Sequence, residues 1–246
     1  MHLIFRNKKH RLNLLKLCTL VVFSFQCSVT PAQDKSNINN RDLSYLTSGG
    51  KLLPLQAIMD IRHYTIELEV NIQQQSISGS VEVSVNLLKK TDTLLLNLVH
   101  LYTVTKISVN NKRVSFNQHD DKIFITAAAG FEIGNQKVNI EYNGIPPVAI
   151  KPPWDGGFTW TKDSNGNHWV SINIQGEGGE MYFPCKDHPS DEPNEGAELK
   201  ITVPSNLVVA GPGLLMSVTT KKNKSTYYWK TNYTISNYCI LFNIGK

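Results

Sequence analysis

Cysteine is scarce in this sequence, with four residues of this type among 246. Cys18 and Cys27 lie in the N-terminal segment, which leaves Cys185 and Cys239 for the rest of the chain. A disulfide-stapled scaffold needs more cysteines than this, so a packed apolar core must hold the fold. A single bridge between Cys185 and Cys239 stays open, but two buried free thiols are the favoured state.

The sequence also lacks the short motifs of common enzyme classes. None of its seven histidines is followed by glutamate, which excludes an HExxH zinc helix. There is no Gly-x-Ser-x-Gly elbow, no phosphate-binding loop and no dinucleotide fingerprint. Asp187, His188, Asp191 and Glu192 lie close together, but the interleaved prolines predict a rigid structural turn. We therefore expect no metal site in this chain.

Acidic residues are absent from the first 32 positions, which contain Arg6, Lys8, Lys9, Arg11 and Lys16. The whole chain has 25 Lys and Arg against 20 Asp and Glu, so these five account for the entire net charge of +5. A body without excess positive charge argues against binding to a phosphate backbone. Nucleic acid is therefore not an expected partner.

The basic head precedes an apolar run, residues 17–25, that is too short to span a bilayer. Thr30 and Ala32 occupy suitable positions before a cleavage point. Residues 1–32 are therefore interpreted as a signal peptide, and the protein is expected to be periplasmic, outer-membrane-associated or secreted. A retained N-terminal anchor and a lipid on Cys27 are the alternatives. No transmembrane span is expected once the signal is removed.

After a flexible lead-in, residues 33–60, the hydrophobic pattern takes a period of two. Tyr64, Ile66 and Leu68 alternate with polar residues, and a second alternating run follows from Ile77 to Leu87. Such alternation predicts half-buried antiparallel strands. Asn110-Asn111 predicts a tight hairpin turn. Further strands are predicted at residues 93–99, 104–109, 112–116, 122–126, 136–142, 199–203, 207–209, 226–229 and 238–243.

No stretch after the signal has helical periodicity, so the predicted fold is all-β. The architecture expected for residues 61–246 is a saddle-shaped antiparallel β-sandwich. Residues 146–169, rich in proline, glycine and tryptophan, are interpreted as irregular, with His168 at a strand edge. The chain ends within a strand-like run, which is unusual for a complete domain, and it is therefore expected to be a fragment.

Three motifs appear in order in the second half of the chain. They are Trp154-Asp155-Gly156-Gly157-Phe158, then Gln175-Gly176-Glu177-Gly178-Gly179, then Phe183-Pro184-Cys185-Lys186-Asp187-His188-Pro189. Together they resemble the N-terminal β domain of the aminopeptidase-N family of zinc metallopeptidases, which includes leukotriene-A hydrolase. The variant around Asp187 is most similar to bacterial exported members.

The resemblance implies a function for the 175–177 loop. Glu177 matches the glutamate that binds the free α-amino group of a peptide substrate, and Gln175 matches a residue lining the first specificity pocket. Gly178 would let the backbone approach the catalytic domain closely. Pro184, Cys185 and Asp187 match a structural turn that fixes the loop. The competing interpretation of Glu177 is a solvated loop acid.

The family's chemistry belongs to a thermolysin-like catalytic domain, whose HExxH, Gly-x-Met-Glu-Asn and tyrosine motifs do not occur here. The resemblance thus implies that zinc is held by a domain missing from this chain or separate from it, and that the chain alone is inactive. Glu180 stands where a basic residue is common in the family. The alternative function is a free-standing β-sandwich interaction module without peptidase activity.

Overall fold

The computed structural model describes residues 48–246. Within this range the chain forms fifteen strands in three β-sheets. The proposed signal peptide (residues 1–32), Cys27 and the lead-in as far as residue 47 lie outside the described residues. Between residues 48 and 246, no helix has the length and apolar character needed to cross a membrane. One short helix, α1 (Pro54–Ala57), leads into the first strand.

The strands follow one another closely along the chain. They are β1 (Met59–Asn71), β2 (Ser76–Leu87), β3 (Thr91–Asn97), β4 (Tyr102–Val109), β5 (Lys112–Arg113), β6 (Ser115–His119), β7 (Lys122–Phe131), β8 (Gly134–Gly144), β9 (Gly157–Lys162), β10 (His168–Asn173), β11 (Ala197–Pro204), β12 (Val208–Ala210), β13 (Leu214–Lys221), β14 (Lys224–Thr231) and β15 (Asn243–Gly245). Two 3-10 turns, Gly179–Met181 and Asn237–Cys239, interrupt the second half.

The largest sheet has the strand order β13-β14-β11-β1-β2-β8-β4-β5. Tyr64, Ile66 and Leu68 of β1 are at most 2% exposed, whereas Glu67 and Glu69 between and beside them face solvent. This is the alternation that the sequence predicts for a sheet with one buried face. The strands of this sheet pair antiparallel except for β1 and β11, which run parallel.

The two smaller sheets have the orders β12-β15-β10-β9 and β3-β7-β6. Their buried residues join those of the large sheet in one continuous hydrophobic cluster. Leu94 and Leu96 of β3, for example, are fully buried in it, as is Phe158 of β9. The prediction of an all-β fold is therefore confirmed.

Local backbone chemistry explains where predicted strands end. Asn110 and Asn111 both have positive φ angles, 50° and 65°, which confirms the predicted hairpin turn between β4 and β5. The predicted strand 112–116 is wrong as a single element, because it divides at Val114. Its first part pairs with β4 in the large sheet, whereas the second part pairs with β7 in another sheet.

Other differences concern the second half of the chain. The predicted strand 238–243 is wrong over most of its length, since Asn237–Cys239 forms a 3-10 turn and strand β15 begins at Asn243. The interpretation of residues 146–169 as irregular is wrong for strand β9, which lies wholly within them, and for the first two residues of β10. The carboxylate of Asp163 accepts hydrogen bonds from the backbone of Asn165 and Asn167, and these bonds stabilise the turn between the two strands.

The two edges of the large sheet have different characters. Strand β5 at one edge is two residues long and consists of Lys112 and Arg113. Strand β13 at the other edge is eight residues long, and all its residues are exposed, including Leu214 and Met216. Because every residue of β13 is exposed, it carries no burial pattern that the sequence could reveal. A register shift between Leu215 and Ser217 bends this strand.

A buried aromatic pair, Tyr182 and Phe183, links the sheets. The ring of Tyr182 contacts Phe158 of β9 and Phe242 beside β15, whereas the ring of Phe183 contacts Tyr64 of β1 at 5.4 Å. The hydroxyl of Tyr142 donates to the backbone oxygen of Tyr182 at 2.8 Å. The segment is therefore fixed by packing on both sides and by a hydrogen bond from the large sheet.

We expect Tyr142→Phe to lower the free energy of unfolding by about 1–3 kcal/mol, because it leaves a buried carbonyl oxygen without this donor. Urea denaturation followed by intrinsic fluorescence measures the change. Tyr233→Phe is the matched control, since Tyr233 is 78% exposed, and it should shift the free energy of unfolding by less than about 0.5 kcal/mol. Equal effects of the two substitutions would contradict the assigned role of Tyr142.

Candidate functional site

The 175–177 loop connects the end of β10 to the 3-10 turn Gly179–Met181. The backbone N–H of Gly178 donates to the oxygen of Ile174 at 2.8 Å and closes the loop, and Ile174 itself is fully buried. Between these two residues, Gln175 is exposed and Glu177 is half-buried. The predicted substrate-binding residues therefore lie on a short projection whose two ends are fixed in the core.

The carboxylate of Glu177 is held by the neighbouring 153–156 segment. Its Oε1 accepts a hydrogen bond from the backbone N–H of Gly156 at 2.9 Å. A Cβ atom on Gly156 would lie 2.1 Å from Glu177 Oε2, so only glycine leaves room for the carboxylate there. The Asn173 amide donates to the Pro153 oxygen and ties the two segments together. The first two predicted motifs thus meet at Glu177.

Gln175 lies apart from this contact. It lines a shallow cleft of about 190 Å³ together with residues such as Ser48, His188 and Tyr238. Glu177 does not line that cleft. A larger cavity of about 360 Å³ lies at the end of the large sheet, around His168 and Leu207, and none of the predicted site residues lines it.

Gly178 and Asp187 form the structural support of the loop. Gly178 has φ 91° and ψ 179°, a conformation essentially restricted to glycine. Asp187 Oδ1 accepts hydrogen bonds from the backbone N–H of Gly179 at 3.0 Å and from the Asn237 side chain at 2.8 Å. Asp187 therefore caps the 3-10 turn that follows the loop. Burial raises the pKa of this carboxyl, and its hydrogen bonds oppose that change.

Pro184 and Cys185 are both buried, and Cys185 forms an antiparallel bridge with Asn97 of β3. Burial, with the charges of Asp187 and Glu180, raises the pKa of the Cys185 thiol well above its ordinary value. Both Cys185 and Cys239 are free thiols, and the expectation that both are buried is wrong for Cys239. Cys239 is exposed because it ends a 3-10 turn at the surface rather than lying in the predicted strand.

The turn after Cys185 contains a buried ion pair that sequence reasoning did not find. Lys186 Nζ donates to Asp191 Oδ2 at 2.6 Å and to the Met59 oxygen at 2.7 Å, with both charged side chains less than 10% exposed. Asp191 also accepts from the backbone N–H of Ile61. These contacts fasten the turn to the start of β1.

Glu180 is another buried ionisable residue that the sequence did not predict. It is 5% exposed and lies three residues after Glu177. In the sequence, the one indication that position 180 is unusual is an acidic residue where the family commonly has a basic one. Within residues 48–246, no three His, Cys, Asp or Glu side chains are grouped so that they could hold a metal ion.

The sequence model of the peptidase M1 N-terminal domain matches residues 61–239 of this chain. The chain belongs to this family. The site residues predicted from the sequence, from Gln175 to Asp187, all lie within the matched range.

Solved structures with the fold of this M1 N-terminal domain include two kinds of enzyme. One is an M1 zinc metallopeptidase mutant from Deinococcus radiodurans bound to a Tyr-Ser-Ala substrate. Its superposition on this chain has a TM-score of 0.65 with 23% sequence identity, and the aligned region covers 77% of this chain and 43% of that one. Native yeast LTA4 hydrolase has TM-score 0.60 and 20% identity, covering 77% and 29%. This chain thus spans less than half the length of either protein. Among curated protein sequences, none matches it.

Substitution of Gly178 tests the backbone geometry of the loop. Gly178→Ala should lower the free energy of unfolding by about 1–3 kcal/mol from backbone strain alone. The added Cβ would also lie 2.2 Å from both Asp187 carboxylate oxygens. Urea denaturation measures the effect.

Gly176→Ala is the matched control in the same loop. A Cβ atom at position 176 meets nothing within 4 Å, so the substitution should change the free energy of unfolding by less than about 0.5 kcal/mol. Equal free energies of unfolding for Gly178→Ala and Gly176→Ala would contradict the supporting role of Gly178 and Asp187 in the loop.

Proposed function

We propose that this M1 N-terminal domain binds the free α-amino group of peptide substrates for an exported zinc aminopeptidase, with Glu177 as the anchor. In this proposal Gln175 lines the first specificity pocket. A thermolysin-like catalytic domain, in the same polypeptide or separate from it, carries out hydrolysis. The observation that carries the proposal is the Glu177 carboxylate, which is half-buried and oriented by a backbone N–H of Gly156 at 2.9 Å.

The charge of Glu177 is available for a ligand. The ion pairs found within residues 48–246 do not include it. The backbone N–H of Gly156 is a neutral donor, so its hydrogen bond orients one carboxylate oxygen of Glu177 without neutralising the charge. An ammonium group that reaches this carboxylate in a partly desolvated site makes a strong charge-assisted hydrogen bond. An aminopeptidase must recognise such a group at the end of its substrate.

The comparisons support peptides as the substrate class. The Deinococcus radiodurans structure is described as bound to a Tyr-Ser-Ala substrate, and the yeast enzyme has been solved in complex with bestatin. The family membership of residues 61–239 supports a catalytic partner of the M1 type.

Zinc belongs to that partner in this proposal. The described residues of this chain bring together no set of side chains that fits the metal. In the partner domain, zinc would supply Lewis-acid polarisation of the peptide carbonyl and activation of water. The contribution of this chain is to bind and orient the amine end of the substrate. The basic, acid-free head of residues 1–32 supports export to the periplasm, the outer membrane or the medium.

Steady-state kinetics tests this function. The protein is purified from its own cells, together with any catalytic polypeptide that copurifies with it. Glu177→Gln should raise KM for unblocked aminoacyl p-nitroanilides about tenfold or more, because it replaces a charge-assisted hydrogen bond with a neutral one. The value of kcat should change much less, since the amine contact is the same in the ground and transition states. Discrimination against N-acetylated substrates should weaken in parallel.

Glu132→Gln is the control, since Glu132 is an exposed surface residue paired with Lys90. It should leave KM and the discrimination ratio unchanged. An unchanged ratio in Glu177→Gln would remove Glu177 from the substrate site. Complete absence of aminopeptidase activity in the native preparation would favour the free-standing interaction module instead.

A further inference from the structure

Glu180 is a buried carboxylic acid that has no role in the proposed binding of the substrate amine. It occupies the centre of the 3-10 turn Gly179–Met181 and is 5% exposed. Its backbone oxygen accepts a hydrogen bond from the N–H of Val99 at 3.0 Å, which fixes the turn against the segment after β3. The buried side chain therefore lies in the turn that directly follows the 175–177 loop.

The groups that face Glu180 come from four parts of the fold. Asp187, in the turn after Cys185, and Asp121, in the connection between β6 and β7, both act on it electrostatically. Lys122 at the start of β7 is the one cation among its main electrostatic neighbours, and the Asn97 side chain on β3 hydrogen-bonds to it. The buried Cys185 thiol is the remaining titratable neighbour.

The neighbours of Glu180 are themselves fixed by other contacts. Asp121 accepts hydrogen bonds from the backbone of His100 and lies 2.7 Å from its Nδ1. Asn97 Oδ1 accepts from the Gln56 side chain. The Lys122 ammonium donates to the backbone oxygen of Asp120. Asp121 and Asp187 thus place two carboxyl groups near Glu180, and ionisation of Glu180 would add a third negative charge to this cluster.

Asp187 is the link from Glu180 to the loop. Its carboxylate caps the turn at Gly179, and that cap sits directly after Gly178, whose glycine-only backbone conformation sets the exit of the loop. A second negative charge beside Asp187 would repel this carboxylate from its position. Displacement of Asp187 would release the turn and then the contact between Glu177 and Gly156.

We propose that Glu180 is a positioning residue that holds the 175–177 loop in its binding geometry only while its own carboxyl group is protonated. The proposal rests on the proposed function only in treating this loop as the substrate loop. It assigns to the domain a pH-dependent control: the loop is ordered at neutral pH and loosens in alkaline solution.

The electrostatics agree with this geometry. Burial, with the charges of Asp187 and Asp121, raises the pKa of Glu180 from 4.5 to about 8. Between these two values the folded protein holds a proton that the unfolded chain has lost. Folding stability therefore falls as the pH rises through this window, and the Glu180 contribution is lost once the pH passes about 8.

Backbone amide NMR on the full chain tests the proposal without any catalytic activity. The Gly178 and Gly156 amide resonances should titrate with a midpoint near 8 in the unsubstituted protein, because these amides report on the turn and on the Glu177 contact. In Glu180→Gln, which keeps a neutral side chain of the same size, this transition should be absent. Amides that do not titrate near this pH, or that titrate equally in Glu180→Gln, would overturn the proposal.

Urea denaturation from pH 5 to pH 8 gives the second measurement. Relative to Glu180→Gln, the folding equilibrium constant of the unsubstituted protein should fall by up to about tenfold per pH unit. Glu195→Gln, at an exposed position, should keep the full pH dependence of the unsubstituted protein. A pH-independent offset in Glu180→Gln would reduce Glu180 to a packing residue and overturn the proposal. These results do not depend on whether Glu177 binds an amine.

Discussion

The short segment of residues 181–183 runs through the interior of the protein, and the backbone groups it buries there have to be satisfied. The large sheet provides the donors, since the hydroxyl of Tyr102 reaches the Met181 oxygen at 2.9 Å and that of Tyr142 reaches the Tyr182 oxygen at 2.8 Å. In turn, the Tyr182 hydroxyl donates to the oxygen of Ile240 beside β15. This chain of tyrosine hydrogen bonds fixes where the preceding 175–177 loop and the following turn can lie, because a buried carbonyl without a donor is strongly unfavourable.

The site inherits its geometry from that segment. Met181 and Tyr182 set the end of the 3-10 turn, Asp187 caps its beginning, and Gly178 joins the cap to the loop. The loop is then completed by the 153–156 segment through the amide of Gly156. A β domain with few cysteines can thus present a well-defined carboxylate on a loop, because both ends of that loop are fixed at buried residues, Ile174 and Gly178.

Sequence reasoning succeeded where side-chain periodicity follows burial. Strands β1 and β2 alternate between the core and solvent, so their residues alone predicted them. The same reasoning missed β13, because none of its residues is buried, and it missed β9 and β10, because glycine and proline around them resemble a loop. Ordered motifs located Glu177 and Asp187, but no local pattern revealed their partners. Gly156 lies 21 residues from Glu177, and Glu180 interacts with Asp121 and Asn97, which only the folded chain brings near.

The unequal edges of the large sheet determine how far copies of this domain could associate through their strands. Between residues 48 and 246, the long edge strand of this sheet is β13, with eight residues, whereas the opposite edge ends in the two-residue Lys112–Arg113 strand. Two copies joined along β13 would each cover the long edge strand of the other. Pairing along β13 therefore uses up this edge in both copies instead of extending it.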